Sequence, residues 1–144
     1  MEIQNYENMG GNGLRWINDY IGRRWESGAS GPDTFNCWGL VRHVYLTLLG
    51  IELSEIIIDD TNRLAREYAF NNHHEYRNWQ RVYSGKPLDV VVLSSILEPG
   101  HCGLYISGGV LHCLRRSGVV FQTLPGMRIK GWEINFYRYK EFMA

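Results

Sequence analysis

Between Ser27 and Gly50 the chain passes from a glycine-rich loop straight into a helix, and a cysteine stands at the join. The run Ser27-Gly-Ala-Ser-Gly-Pro-Asp33 is loop chemistry, with glycines and a proline that resist regular structure. From Leu40 the apolar residues recur at helical spacing (Leu40, Val41, Val44, Tyr45, Leu48 and Leu49), and Gly50 supplies a stop. Asn36 is the natural N-cap, because its side-chain oxygen can accept a backbone N–H of the first turn. Cys37 then lies in that first turn, where unpaired N–H groups and the positive end of the helix dipole favour thiolate over thiol. Thiolate is the nucleophilic form, so a catalytic cysteine would be built here. The competing reading is a small apolar residue beneath a helix start.

Downstream the period shifts from that of a helix to that of strands. Strands are predicted near 88–93, 102–107, 110–114, 119–124 and 134–139 from short apolar or alternating runs broken by glycine. Upstream, Leu14 to Ile21 reads as a short amphipathic helix with Leu14, Ile17 and Ile21 on one side. Thr61 to Phe70 reads as a further helix with Leu64, Ala65 and Tyr68 inward. The polar stretch from Asn71 to Trp79 is ambiguous: it can cover a cleft or meet a partner, with His73 and His74 at the surface. Helices first and strands afterwards indicate a single α+β domain over residues 1–144, the cysteine helix packed on an antiparallel sheet.

Two histidines fall on the strand-rich half. His101 opens His-Cys-Gly-Leu-Tyr-Ile-Ser107, and His112 lies on the next short strand. A cysteine at a helix start followed far downstream by histidines on a hairpin is the order of a papain-like thiol hydrolase. If Gly108-Gly109 forms the two-residue turn, Tyr105 faces His112, and His101 lies four positions further on, roughly 13 Å along the strand. A bulge or a longer loop would then be needed to bring the two rings together.

With these residues in place, the chain resembles the NlpC-type cysteine peptidases of bacteria and phages. The resemblance runs through Ile21-Gly22, Trp25, Gly28, Pro32-Asp33, Phe35, Cys37 and Gly39-Leu-Val41. It resumes at Pro87-Leu-Asp89-Val-Val-Val-Leu93 and ends at His101-Cys-Gly-Leu-Tyr-Ile106 and Gly109-Val-Leu-His112. It implies a papain-like fold with Cys37 as nucleophile, His101 as general base and His112 as the polar residue that orients the base. Trp25 matches the family's substrate-facing aromatic. Asn36 and Trp38 stand where the family usually has aspartate and serine, which help shape its peptide pocket. The Cys-Trp-Gly-Leu-Val form looks more like phage tail and prophage members than like housekeeping enzymes. The resemblance therefore implies hydrolysis of peptidoglycan stem peptides, at the bond between D-glutamate and diaminopimelate or lysine, by a protein carried with tail-tip or hub proteins. The alternatives are a tail-tip structural protein that keeps the fold without the activity, and a thiol amidase or acyltransferase acting on another amide or ester.

The chemistry can be stated without the resemblance. Amide hydrolysis by a thiol needs a thiolate, a base that later protonates the leaving amine, and donors for the oxyanion. The backbone N–H of Cys37 is one natural donor at a helix start, and Trp25 or a nearby side chain would supply a second. No metal or organic cofactor is required. Three cysteines are an odd number without a Cys-x-x-Cys pair, and a zinc site from Cys37, His101 and His112 fits no common spacing. Cys102 and Cys113 read as small core residues. Formal charge balances at 15 basic and 15 acidic residues, which gives no reason to expect nucleic acid or an anionic membrane. No apolar run is long enough to cross a bilayer, and the polar start is no secretory signal. A cell-wall enzyme of this kind is expected to be made in the host cytoplasm and to leave it by lysis or in the tail of a virion. Trp38 and Tyr105 can wall a cleft or fill the core equally well.

Overall fold

The computed structural model describes residues 11–56, 74–96, 98 and 100–143. Two short strands, β1 (Arg24–Trp25) and β2 (Thr34–Phe35), pair in parallel and lead into helix α1 (Cys37–Val44). The chain continues α1 as a wider π turn over Tyr45–Leu49 and ends on Gly50, whose φ of 67° is the left-handed stop that glycine adopts without strain. The predicted helix over 37–49 is therefore present, with its last turn loosened.

The rest is a six-stranded antiparallel sheet built from β3 (Trp79–Val82), β4 (Val90–Ser94), β5 (His101–Ile106), β6 (Gly109–Leu114), β7 (Gly118–Thr123) and β8 (Glu133–Tyr139). Its strand order is β3-β8-β4-β5-β6-β7. The expected α+β arrangement, one cysteine helix on an antiparallel sheet, is thus observed. A short helix α2 (Leu124–Ile129), capped by the Thr123 hydroxyl, links β7 to β8. It escaped the sequence reading because it is barely more than a turn and holds Pro125 and Gly126.

Strand alternation divides the core in two. Val90, Cys102, Leu104, Ile106, Leu111, Cys113 and Val119 face α1 and pack with Leu40, Val41, Val44 and Tyr45. Val91, Leu93, Val110 and Phe136 face the other way and are covered by Met127 of α2, with Trp132 and Tyr105 at the margin. The edge strand β3 is not among the expected strands and begins at Trp79, where the ambiguous stretch ends. Its start is pinned by Glu75, which is buried and accepts from the Ser54 N–H, Asn78 Nδ2 and Trp79 Nε1.

Three expectations change. The stretch Leu14 to Ile21 lies as far as Asp19 in a 3₁₀ helix over Gly11–Asp19, which Gly11 and Gly13 keep from settling as an α-helix, and its last two residues are turn. Ile17 of this helix and Tyr20 just past its end are buried, while Ile21 is exposed. The β5–β6 turn is Ser107-Gly108, both with positive φ, so Tyr105 faces Val110 and Gly103 faces His112. The β4 strand starts at Val90, because Leu88 has a φ of 67° and its carbonyl accepts the Tyr45 hydroxyl at 2.5 Å. The helix expected over Thr61 to Phe70 and His73 lie outside the described residues.

Candidate active site

The start of α1 is fixed by hydrogen bonds that the sequence specifies locally. Asn36 is extended, and its Oδ1 accepts the Gly39 N–H at 2.6 Å, while its own N–H donates to the Ala29 carbonyl at 2.9 Å. The Ala29 carbonyl lies so close over the first turn that a Cβ on Gly39 would collide with it. Gly39 is therefore required by the loop that crosses the helix start, and Cys37 is held in the first helical position. Its side chain is half-buried.

The groups that act on the charge of the Cys37 sulfur are the Cys102 thiol and His101. The Cys102 contact is the larger influence. With the His101 bond and charge it holds Cys37 well below the ordinary thiol range, against the burial that opposes it. Cys102 is fully buried, and burial together with the Cys37 contact drives it well above that range. The two sulfurs are thus pushed in opposite directions, Cys37 toward the thiolate and Cys102 toward the thiol.

The imidazoles meet without a bulge. Because the turn sits at Ser107-Gly108, His112 pairs with Gly103 rather than Tyr105, which leaves it diagonal to His101 across the hairpin. His101 Nε2 and His112 Nδ1 are 2.8 Å apart. Gly103 makes room for this: a Cβ there would lie 2.7 Å from the Leu111 carbonyl oxygen and 2.8 Å from His112 Cβ. The bulge expected from the sequence is unnecessary, and the reason is a hairpin turn one residue earlier.

Beyond His112 stands Gln122 of β7, whose Oε1 is 2.7 Å from His112 Nε2. Burial and the neighbouring His101 push His112 down to about 3, so its ring is neutral near neutral pH. With the Gln122 oxygen turned to the ring, Nε2–H of His112 donates to it, and Nδ1 is left to accept Nε2–H of His101. The remaining nitrogen of His101, Nδ1, is then the one available to the Cys37 sulfur. Trp132 covers both rings, with centroids 5.8 Å from His101 and 6.0 Å from His112. Neither Gln122 nor Trp132 carries a sequence signal: strand alternation puts Gln122 on the His112 face but does not mark it.

The other expected site residues are placed as follows. Asn36 is buried and serves the helix cap. Trp38 is buried, donates Nε1–H to the Ser54 carbonyl at 2.8 Å and packs edge-on to Trp79. It lines an apolar cleft with Trp79, Val92, Cys102 and Tyr137. Trp25 is half-buried beside the same core, with the Arg115 guanidinium 5.0 Å over its ring. Cys113 is occupied elsewhere, its thiol donating to the Phe35 carbonyl at 3.3 Å, and burial raises it to about 12. Asp89, in the segment that resembles the family's strand, is a support: it accepts a two-pronged contact from Arg138 at 2.9 and 2.7 Å and caps the Lys86 N–H. Among the described residues no three His, Cys, Asp or Glu side chains converge as metal ligands would, and no helix is long and apolar enough to cross a membrane.

Comparison with known proteins adds to this geometry. The sequence pattern of the NlpC/P60 family matches residues 22–138. No curated protein sequence matches the chain. Among solved structures, the NlpC/p60 domain of the peptidoglycan hydrolase SagA superposes with a TM-score of 0.58 at 15% identity, covering 94% of this chain and 98% of that one. NlpC2 from Trichomonas vaginalis gives 0.61 at 18% identity, over 93% of this chain and 49% of that one. A Staphylococcus aureus Mu50 protein described as similar to an NLP/P60-family lipoprotein gives 0.60 at 18%, over 95% and 41%. The chain thus spans less than half the length of the latter two, and at these identities the likeness is one of fold.

Proposed function

The chain belongs to the NlpC/P60 family, and from that footing we propose that it hydrolyses peptidoglycan stem peptides as a cysteine peptidase, with Cys37 as nucleophile, His101 as base and His112 as its orienting partner. The observation that carries the reading is the ordered chain His101–His112–Gln122, in which each hydrogen bond fixes the tautomer of the next ring, with Cys37 held below the ordinary thiol range beside it. In this mechanism the Cys37 thiolate attacks the scissile carbonyl carbon, and the oxyanion forms against the Cys37 backbone N–H. That N–H suits the role because the Asn36 side chain takes the Gly39 N–H and the Asn36 carbonyl takes the Leu40 N–H. Protonated His101 gives its Nδ1 proton to the departing amine, leaving a thioester. Water, deprotonated by the same nitrogen, then releases the acid and restores the thiolate.

The substrate is carried over from the family: a stem peptide cut between D-glutamate and diaminopimelate or lysine. Asn36 in place of an acidic residue weakens the hold on a free amino group, and Trp38 gives the apolar cleft one wall. Delivery in a phage tail, with tail-tip or hub proteins as partners, is the further part of the proposal and rests on the Cys37-Trp38 form of the motif. Digestion of purified sacculi and of synthetic stem peptides, followed by mass spectrometry, tests the reaction. Fragments ending in D-glutamate are expected from wild type and not from Cys37→Ala. A wild type no faster than Cys37→Ala on every fragment overturns it. Immunoblotting of purified virions tests the location.

A further inference from the structure

Trp132 enters no step of the hydrolysis just derived, yet its indole is the ring that both histidines share. It stands just before β8, and the end of α2 places it. Gly131 takes a φ of 91°, and the Trp132 N–H donates to the Met127 carbonyl at 3.1 Å. Met127 is fully buried, and Trp132 packs against the same apolar cluster, so the indole is anchored through backbone and side chain alike. Its two ring contacts differ in geometry. It is perpendicular to His112, at 87° and 6.0 Å, an ordinary edge contact between rings. It is inclined by only 40° to His101 at 5.8 Å, so its face is turned toward that ring.

We propose that Trp132 is a positioning residue whose π face stabilises the imidazolium form of His101, the form that protonates the leaving amine. The use of that proton rests on the peptidase reading above, while the stabilisation itself does not. The face of an indole is the negative end of its quadrupole and attracts a cation within about 6 Å of the ring centre. The other groups around His101 leave this part unfilled. His112 of β6 is neutral and accepts Nε2–H of His101, Gln122 of β7 lies beyond it, and Cys37 of α1 is the acid–base partner. Among the described residues no carboxylate is hydrogen-bonded or ion-paired to either ring. Once the Cys37 sulfur is bonded to the acyl carbon, its thiolate charge is gone. The indole then still favours the proton on His101 until the amine takes it. The same indole also covers His101, and burial disfavours a cation. The two effects have opposite signs, so one measurement separates them.

The test follows the His101 ring by NMR in Cys37→Ala, which removes the thiolate and any turnover from the measurement. Adding Trp132→Leu should lower the pH at which the His101 imidazolium gives up its proton by about half a unit. Trp132→Phe in the same background keeps a π face and should lower it by less. If Trp132 were only a cover, its loss would admit water and move that midpoint up. A midpoint that rises or stays with leucine, or falls equally with phenylalanine, overturns the proposal. Circular dichroism confirms that each variant is folded, and Trp132→Met serves if Trp132→Leu is not. With the Cys37 thiol in place, Trp132→Leu should move the alkaline limb of kcat on stem peptides to lower pH by the same amount, with KM little changed. A midpoint that falls as expected, in a protein whose wild type cleaves no stem peptide, upholds the role of Trp132 and overturns only the peptidase.

Discussion

The two faces of the sheet hold the site by different means. On the α1 face the reactive group is a sulfur among apolar side chains. Its charge is set by one thiol neighbour and by the histidine that reaches it from the start of β5. On the other face three polar side chains stand in line, His101, His112 and Gln122, under the ring of Trp132. Burial acts on both faces, with opposite results. It opposes the charge on Cys37 and is overcome by hydrogen bonds. It opposes the charge on His112 and prevails, so that ring is kept neutral. The thiol face therefore stores a charge, and the imidazole face stores a direction. Pairs of titratable groups driven apart by their surroundings are how acid and base roles are separated in one site, and here Cys37 and Cys102 are driven apart.

The comparison breaks most visibly at the link between the faces. His101→Ala removes both the base and a stabiliser of the thiolate. Hydrolysis should fall by about 10²–10⁴-fold. Alkylation of Cys37 by iodoacetamide near neutral pH should slow, and its midpoint should move to higher pH. Cys102 and Cys113, enclosed and protonated, should label last in wild type. Unchanged alkylation and turnover in His101→Ala would mean that the imidazole face does not serve the sulfur at all.

Next in size is Gly103→Ala, which leaves every polar group in place and alters only the space between the histidines. The added methyl meets the Leu111 carbonyl and the His112 Cβ, and backbone cannot swing aside as a flexible side chain would. A loss of about 1–3 kcal/mol in urea unfolding is expected, with hydrolysis falling beyond what the unfolded fraction explains. A variant of wild-type stability and activity would show that the diagonal contact does not depend on this glycine.

How much of this was legible in the sequence divides along the same line. The thiol side is mostly local. Asn36 as cap, Cys37 in the first turn, the apolar stripe and Gly50 as stop all follow from residues within one helix length. The imidazole side depends on register, and there a two-glycine run misled. Gly109 is not a turn residue. It is glycine because Phe121 and the Gln122 carbonyl of β7 crowd its α-carbon, with Phe121 only 2.5 Å from an added Cβ. The turn position went instead to Ser107, which accepts a φ of 45°. A turn one residue earlier moves the partner of His112 two positions along β5, from Tyr105 to Gly103, and that separates a pair of histidines that cannot meet from a pair 2.8 Å apart. Cys102 was rightly placed in the core, but its contact with Cys37 is tertiary and no strand pattern shows it. Trp38 was open between wall and filler; it is buried and also lines a cleft.

Acid sharpens the contrast between the faces through stability. His112 has a folded pKa lowered from 6.5 to about 3, so between those values the unfolded chain binds a proton that the folded one refuses. Stability therefore rises with pH across this window, and the contribution is lost progressively as pH falls from about 6.5 toward 3, at up to about 1.4 kcal/mol per pH unit from this one group. His112→Gln has no such proton to bind. Its urea midpoint should fall less steeply than that of wild type between pH 6.5 and 4.5, whatever its stability at pH 7. Parallel slopes for the two proteins would show that His112 titrates freely and that the imidazole face is not sealed.

The smallest effect expected is at the end of the chain of rings. Gln122→Leu keeps the shape of the side chain and removes the oxygen that accepts from His112 Nε2. The neutral His112 ring can then carry its proton on Nδ1, where it opposes rather than accepts Nε2–H of His101. To keep a hydrogen bond, His101 would have to move its own proton to Nδ1, the nitrogen that must be bare to act as base. Only a fraction of molecules would hold the productive tautomer, so turnover should fall by about tenfold, roughly the 1–2 kcal/mol of one buried hydrogen bond, with KM little changed. Gln122→Asn is shorter, and Gln122→Glu keeps the acceptor but adds a charge. Gln122→Glu should therefore retain the tautomer while raising the pKa of His112, so that part of the turnover returns and the acid limb of the rate profile moves to higher pH. If Gln122→Leu turns over as fast as wild type, the direction of the imidazole chain is set by burial beneath Trp132 alone, and β7 contributes only its backbone to the site.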